Sequence, residues 1–276
     1  MSGRKRRHGI AWVVLTLSVC VMAVAGYKYW AAEQVYTEGD KSYEQLSDLV
    51  RPAGPPIVSP QDTNTTPSDV PATAEPNVEI PYMDIDFEAL RAINQNAAAW
   101  LYCPDTVIDY PVMRANDYDY YLRHLPDGTR NDNGTLFIDY NNAAGFTDAL
   151  TVIYGHHMKS GKMFGSLVNY KGQAYFEEHP YMYLYTENGN YRIDLMYGCV
   201  IGAGQWRDQG FMYEANLDAL LTYAASKTTF TCDVAYIQGD QVIALSTCSY
   251  EFDDARYVVL GLLRPEYGPV SDTPEP

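Results

Sequence analysis

Hydrophobic and polar positions divide the chain into three kinds of segment. Residues 10–27 are mostly apolar and carry no charge (IAWVVLTLSVCVMAVAGY). Residues 52–81 have no apolar pattern and contain eight prolines among threonine, serine and alanine. From about residue 82 to 266, short β-rich runs alternate with turn residues and a few helical stretches. The pattern predicts a membrane-length helix, an extended linker and one folded domain.

The apolar stretch is near the lower length limit for crossing a hydrocarbon core about 30 Å thick. A basic run at residues 4–7 precedes it, and Tyr29 and Trp30 follow it, as is typical of the cytoplasmic flank and of the membrane interface. We predict a basic cytoplasmic tail at 1–9 and a single-pass transmembrane signal-anchor at 10–27. A cleaved signal peptide is the alternative, and either one exports the rest of the chain.

The next two segments are expected to act as a stalk and a spacer and to carry no catalytic residues. Residues 28–51 are polar with some helical spacing, and we interpret them as a juxtamembrane stalk. The proline-rich residues 52–81 cannot bury enough apolar surface to fold. In an extended polyproline conformation they would reach about 90 Å at about 3.1 Å per residue, enough to act as a spacer through a cell wall. A folded domain is expected at 82–266, and a short tail at 267–276.

Short strands dominate the expected domain. A helix should be capped by Asp84 or Asp86 and end near Trp100, and further helices are expected at 162–170 and 215–226. Strands are predicted at 107–112, 135–139, 149–154, 181–185, 191–201, 234–237, 242–247 and 257–263. Many short strands with few helices predict a mainly β fold, either a barrel or a sandwich.

The charge is distributed unevenly along the chain. Five of the 19 basic residues lie within the first 28 positions, which leaves 14 basic against 35 acidic residues from position 29 onward. Nucleic-acid binding needs lysine and arginine to neutralise phosphates, so no nucleic-acid partner is expected. The acidic surface favours solubility more than any particular partner.

Cysteine usage narrows the chemistry. Cys20 lies in the apolar stretch, and Cys103 precedes a proline in a loop. Cys199 and Cys232 have the context of small core residues. If a disulfide forms, the pairing to expect is Cys199–Cys232. No CxxC motif is present, and we expect neither a metal site nor a cofactor. Cys248 differs because it ends an apolar strand, where a rigid backbone presents an exposed sulfur.

A cysteine nucleophile needs a histidine, since the thiolate attacks and the imidazolium protonates the leaving group. His156 and His157 follow an apolar strand, and Gly155 should permit a sharp turn there. Arg256 follows Cys248 by eight residues. A histidine in such a place is more often structural than catalytic, so spacing alone leaves its role open.

The combined motifs closely resemble the sortases, with class B as the best match. They are Tyr154-Gly155-His156-His157-Met158, then Ala244-Leu245-Ser246-Thr247-Cys248, then Arg256. Histidine, cysteine and arginine stand in the sortase order, and the sortase motif TLxTC is altered only at Ala244, where threonine is usual. The resemblance covers about 180 residues and includes 100–101, 106–112, 120–122, 134–139 and 158–164.

The resemblance implies a closed eight-stranded β-barrel with N-terminal helices and a flanking helix between late strands, after a single transmembrane helix. It also implies a cysteine transpeptidase on the outer, cell-wall side of the membrane. Such an enzyme cleaves a C-terminal sorting signal of a secreted protein after threonine, through a thioacyl-enzyme. It then transfers the protein to an amine of a peptidoglycan precursor or cross-bridge.

The family pattern assigns three catalytic residues. Cys248 is the nucleophile, His156 is the acid and base, and Arg256 stabilises the oxyanion. His156 is preferred to His157 because the family's catalytic histidine directly follows the glycine.

Three further residues are expected near substrate. Ser246 and Thr247 flank the nucleophile, and the resemblance places Leu122 on the groove, although a structural role fits Leu122 equally well. Asp253 and Asp254 precede Arg256 and either form a solvated turn or orient the arginine.

Three alternatives remain at this stage. A pilus-polymerising sortase would use a lysine of another protein subunit as the acceptor. A hydrolytic cysteine peptidase would use water, although histidine before cysteine is not the papain order. In a non-catalytic wall-binding module, the positions of the three candidate residues would not depend on one another.

Overall fold

The computed structural model describes residues 3–51, 83–143, 145–249 and 252–266. The linker expected at 52–81 and the tail expected at 267–276 lie outside the described residues.

Eight strands form a closed barrel, as the resemblance implied. The strands are β1 (Ala97–Tyr102), β2 (Asp109–Arg114), β3 (Leu136–Ile138), β4 (Leu150–Tyr154), β5 (Tyr181–Thr186), β6 (Gly189–Gly202), β7 (Val242–Cys248) and β8 (Ala255–Glu266). Their order around the barrel is β1-β2-β3-β4-β7-β8-β6-β5, and β5 pairs with β1. The pairs β2–β3 and β4–β7 are parallel, and the others are antiparallel. Closure leaves no long sheet edge open to another chain.

Helices flank this barrel. They are α1 (Gly3–Val50), α2 (Phe87–Ile93), α3 (Gln173–Glu178), α4 (Ala203–Asp208) and α5 (Leu217–Lys227), with 3₁₀ helices at Tyr120–Leu122, Phe164–Lys171 and Glu214–Asn216. Helix α5 confirms the helix predicted at 215–226, and its apolar face of Leu217, Leu220, Leu221 and Ala224 is buried. It lies between β6 and β7 in the chain.

Two expected elements differ from the structure. The helix that begins after Asp86 ends at Ile93 instead of near Trp100, because the Asn94 side chain accepts the Asn96 amide (3.0 Å) and turns the chain into β1. The strand predicted at 234–237 is irregular. The barrel closes through β8, β6 and β5, so this segment has no strand to pair with.

The parallel pair β4–β7 positions two chain segments at one end of the barrel. Ile153 pairs with Leu245 and Tyr154 with Ser246, so both strands end at the same level. Every residue of β7 from Val242 to Thr247 is buried, and the next residue, Cys248, is exposed. Parallel strands bring their carboxyl ends to the same edge, so the residues after β4 emerge beside the end of β7.

Helix α1 has two different halves. It includes a window long and apolar enough to cross a membrane by length and composition, and none of that window is buried. Its C-terminal part packs on the barrel, where Tyr43, Leu46 and Val50 are buried. These residues recur on one helical face. The segment expected as a stalk therefore ends in contact with the barrel, a contact that its polar composition did not predict.

Candidate active site

An open groove of about 510 Å³ lies where β4 and β7 end. Five of the six predicted site residues line it, namely Leu122, His156, Ser246, Cys248 and Arg256. Its walls are largely aromatic, formed by Tyr118, Phe137, Tyr140, Tyr154, Trp206 and Tyr213.

Cys248 and Arg256 are direct cross-strand partners on β7 and β8. Side chains opposite each other on antiparallel strands share a face, with Cβ atoms about 5 Å apart. The Nε atom of Arg256 is buried and has no hydrogen-bond partner among the described residues. A buried charged group without a partner is costly. The Nε–H group of Arg256 is therefore not occupied by any described residue, and Arg256 lines the groove together with Cys248.

Gly155 brings His156 to the groove by close packing. Its amide donates to the Ser246 carbonyl (3.2 Å), which extends the β4–β7 pairing by one residue. A Cβ at Gly155 would lie 2.7 Å from a ring carbon of Phe164, and the backbone there is not left-handed. The sharp turn expected at Gly155 is therefore corrected: glycine is needed because there is no room for a side chain.

His156 is oriented by a backbone carbonyl. Its Nε2 atom lies 2.6 Å from the carbonyl oxygen of Leu122. A carbonyl can only accept, so Nε2 carries the proton in this contact. Nδ1 is consequently the ring nitrogen left to gain and lose a proton.

His157 occupies a different place. It does not line the groove, and its Nδ1 atom lies 2.7 Å from the carbonyl oxygen of Cys248. By the same reasoning Nδ1 donates, and the ring supports the backbone at the end of β7. The two adjacent histidines thus contact the site from different directions.

Ser246 and Thr247 point to opposite faces of β7, as alternate residues of a strand must. Ser246 lines the groove, and its buried hydroxyl has no hydrogen-bond partner among the described residues. Thr247 is buried and donates to the Gly155 carbonyl (2.9 Å). Thr247 does not line the groove, because its side chain joins β7 to the end of β4, and its contact with substrate stays a prediction.

Leu122 has both of the roles left open for it. It lines the groove, and its carbonyl holds His156. Asp253 and Asp254 are exposed, and the described residues show no salt bridge from either of them to Arg256. Asp254 has a φ of 61°, which fits the solvated turn.

A buried carboxylate behind the aromatic wall was not foreseen. Asp139 is 1% exposed and accepts hydrogen bonds from the hydroxyls of Tyr118 (3.0 Å) and Tyr154 (2.9 Å). Burial and the nearby Asp139 raise the pKa of both phenols, which therefore stay protonated as donors. Only the tertiary fold brings together these three residues, so no spacing in the sequence pointed to them.

The cysteines differ in how far their side chains are exposed to solvent. All five are free, so the Cys199–Cys232 pairing is not formed. Burial raises the pKa of Cys199 to about 12 and also raises that of Cys103. Cys248 is the exposed cysteine of the barrel. Among the described residues, no group of three or more histidine, cysteine or acidic side chains is arranged to hold a metal ion.

Comparisons with known proteins agree on one family. No family model matches the chain. The chain is 31% identical over 178 residues to Sortase B of Listeria monocytogenes and 26% identical over 178 residues to Sortase B of Staphylococcus aureus, covering 63% of this chain and 72% of the relative in each case. A crystal structure of sortase B from Bacillus anthracis superposes with a TM-score of 0.64 at 25% identity, covering 84% of this chain and 99% of that one.

Proposed function

Because the chain belongs to the sortase B family of cysteine transpeptidases, we propose that it cleaves a C-terminal sorting signal after threonine and joins the protein to a cell-wall amine. The observation that carries this proposal is the position of Cys248. Its sulfur is exposed at the end of a buried strand, opposite Arg256 and in the same groove as His156.

In the first half-reaction, the Cys248 thiolate attacks the threonine carbonyl carbon and forms a tetrahedral oxyanion. The positive guanidinium of Arg256 stabilises that oxyanion with its N–H groups. The carbon–nitrogen bond then breaks, and imidazolium His156 gives a proton to the departing amine. The products are a thioacyl-enzyme and the C-terminal fragment of the signal.

In the second half-reaction, an acceptor amine attacks the thioester carbonyl. Neutral His156 takes a proton from the attacking nitrogen through Nδ1, while Nε2–H stays on the Leu122 carbonyl. Collapse of the second oxyanion forms the new amide and releases Cys248 as a thiolate. The histidine must change charge during the cycle, whereas the oxyanion needs the constant charge of Arg256.

The groove supports a peptide substrate. Its wall offers aromatic side chains for apolar contact, and the unpaired hydroxyl of Ser246 can bond a peptide amide. The partners we propose are secreted proteins with a sorting signal and a peptidoglycan precursor or cross-bridge. We also propose that α1 holds the barrel at the outer face of the cell membrane, since α1 carries the membrane-length apolar window.

The test uses the full chain in detergent micelles, a library of sorting-signal peptides with threonine at the cleavage position, and an oligoglycine or peptidoglycan-stem amine. Mass spectrometry should find a peptide adduct on Cys248 that the amine releases as a ligated product. Cys248→Ala should give no adduct, while the matched variant Cys20→Ala, changed at an exposed cysteine in α1, should behave as wild type. Cleavage without amine transfer would favour a hydrolytic peptidase. A parallel reaction offers a lysine-bearing protein as the acceptor, and transfer only to that lysine would favour pilus assembly.

The same assay separates the proposed roles. Arg256→Lys keeps the charge but loses the planar donors, and adduct formation should slow by about 100-fold. Arg264→Lys, changed at a β8 arginine that pairs with Asp240 (2.7 Å), is its control.

His156→Ala should cost far more activity than His157→Ala. Equal losses at the two histidines would contradict the assignment.

A further inference from the structure

Helix α1 packs on a segment that lies directly behind two groove residues, Leu122 and His156. We call residues 130–135, just before β3, the bracing segment. Asn131 and Asn133 within it donate side-chain hydrogen bonds to the carbonyls of Val35 (2.8 Å) and Tyr36 (3.2 Å) in α1. These hydrogen bonds join the exported part of α1 to the barrel. They fix the position of α1 along the bracing segment.

Tyr43 continues this contact about two helical turns further along α1. Its ring is 8% exposed and packs edge-on against Tyr110, with ring centroids 5.2 Å apart. Its hydroxyl donates to the Gly134 carbonyl and lies 3.0 Å from the Thr135 hydroxyl. Burial raises the pKa of Tyr43, so the phenol stays a donor. A side chain of α1 therefore holds the peptide group of Gly134.

Gly134 lies directly against the histidine. It has a φ of 61°, and a Cβ there would lie 2.7 Å from the Tyr121 carbonyl oxygen and 3.0 Å from Cδ2 of His156. The same Cβ would lie 3.0 Å from the carbonyl carbon of Leu122. The Gly134 backbone thus fills the space between α1 and the carbonyl that orients the His156 ring.

A second connection reaches the loop that follows His156. Lys162 in that loop forms a salt bridge to Asp40 of α1 (2.5 Å). The amide of Phe164 donates to the His156 carbonyl (2.9 Å), which closes the loop on itself. Both the ring contact and the backbone of His156 are therefore connected to α1.

From these contacts we propose that α1 holds catalytic His156 in its working orientation and that Tyr43 is the positioning residue. The proposal rests on the catalytic role proposed for His156. Tyr43 does not line the groove, so it acts through Gly134 and Leu122 and not through substrate. The helix that we propose as the membrane anchor is then also part of the support of the active site.

The test compares Tyr43→Phe with Arg51→Met in the full chain. Tyr43→Phe removes one hydroxyl and keeps the ring packing, so the fold is retained. Arg51→Met changes the residue directly after α1 and removes its pair of bonds to Asp109 (2.8 and 3.0 Å), which hold the end of α1 near the barrel without involving the bracing segment. Both variants weaken the docking of α1, but only the first affects the support of His156.

Tyr43→Phe should lower kcat by about 10-fold, with KM for the sorting peptide nearly unchanged, because small misplacements of a catalytic group are costly. With ring-¹⁵N histidine labelling, the Nε2 resonance of His156 should shift. Arg51→Met should lower the unfolding temperature yet leave kcat and that resonance in place.

An unchanged resonance and kcat in Tyr43→Phe would overturn the inference, and so would equal kcat losses in the two variants. The resonance is measured without substrate, so it tests the contact even if the proposed reaction is wrong. Failure of the proposed function would appear separately, as wild-type enzyme that forms no thioester.

Discussion

At the residue scale, the reactivity of each cysteine thiol depends on whether it is buried in the barrel or exposed where a strand ends. Thr247 is buried and bonded to Gly155, and Cys248, one position later, is exposed. The buried thiols of Cys103 and Cys199 have raised pKa values and stay protonated, which makes them poor nucleophiles. An exposed cysteine directly opposite an arginine with a free Nε is therefore the position where thiol chemistry is expected.

Gly134→Ala tests how closely the bracing segment fits the histidine. Gly239→Ala is the matched control, because Gly239 also has a positive φ (101°) but a Cβ there would meet nothing within 4 Å. Both variants should lose about 1–2 kcal/mol of stability from the left-handed backbone. Gly134→Ala should lose more than Gly239→Ala, because its Cβ also meets the backbone of Tyr121 and Leu122. Gly134→Ala alone should lose most of its transpeptidation rate, since its methyl group meets His156 and the Leu122 backbone.

The measurements are thermal unfolding and the initial rate of ligation. Equal activity in the two glycine variants would show that the Gly134 contact does not support the site.

At the element scale, one parallel strand pair assembles the site. Residues 156 and 248 are 92 positions apart in the numbering, and the pairing of β4 with β7 brings their strands to a common end. Strand β8 then returns antiparallel to β7 and places Arg256 opposite Cys248. Helix α1 acts on the same site from outside the barrel, through the bracing segment.

Two N-terminal deletions separate the halves of α1. Deleting residues 1–30 should leave the thermal midpoint of the barrel nearly unchanged, because the buried face at Tyr43, Leu46 and Val50 is kept. Deleting residues 1–51 exposes the surface under that face. Each of the three apolar side chains contributes about 1.5–3 kcal/mol, and about 2–4 °C is lost per kcal/mol in a domain of this size, so the midpoint should fall by at least about 10 °C. Equal midpoints would mean that α1 does not stabilise the barrel.

At the scale of the whole molecule, buried thiol and phenol groups make the folded state less stable at alkaline pH. Burial raises the pKa of Cys199 from 9.0 to about 12 and that of Tyr110 from 10.0 to about 12. The folded state therefore holds these protons more tightly than the unfolded chain does. The stability that this provides is complete below about pH 9 and is lost as the pH rises from about 9 toward 12.

Urea unfolding at pH 8, 10 and 11 measures this loss. The midpoint should fall steadily between pH 8 and pH 11 and recover when the pH is returned. Cys199→Ala should start less stable because of its cavity but lose less on going to pH 11. A midpoint that is constant over this range would contradict the proposed effect of burial.

The sequence by itself determined the family and most of the elements. Alternating and continuous apolar runs located seven of the eight strands and helix α5, because strand and helix periods follow directly from which positions are buried. The order of His156, Cys248 and Arg256, with the motif around Cys248, predicted a sortase, and the family relationship is confirmed. The helix predicted to end near Trp100 overlaps the alanine-rich start of β1, since alanine favours helix in the absence of tertiary contacts.

The tertiary structure alone decided what surrounds those residues. Which face of β7 carries Ser246 and which carries Thr247 depends on pairing register, and Asp139 meets Tyr118 and Tyr154 only when the barrel closes. The contact of Tyr43 with Gly134 joins residues 91 positions apart. Such contacts depend on packing between distant segments, whereas sequence periodicity reports only whether a position is buried.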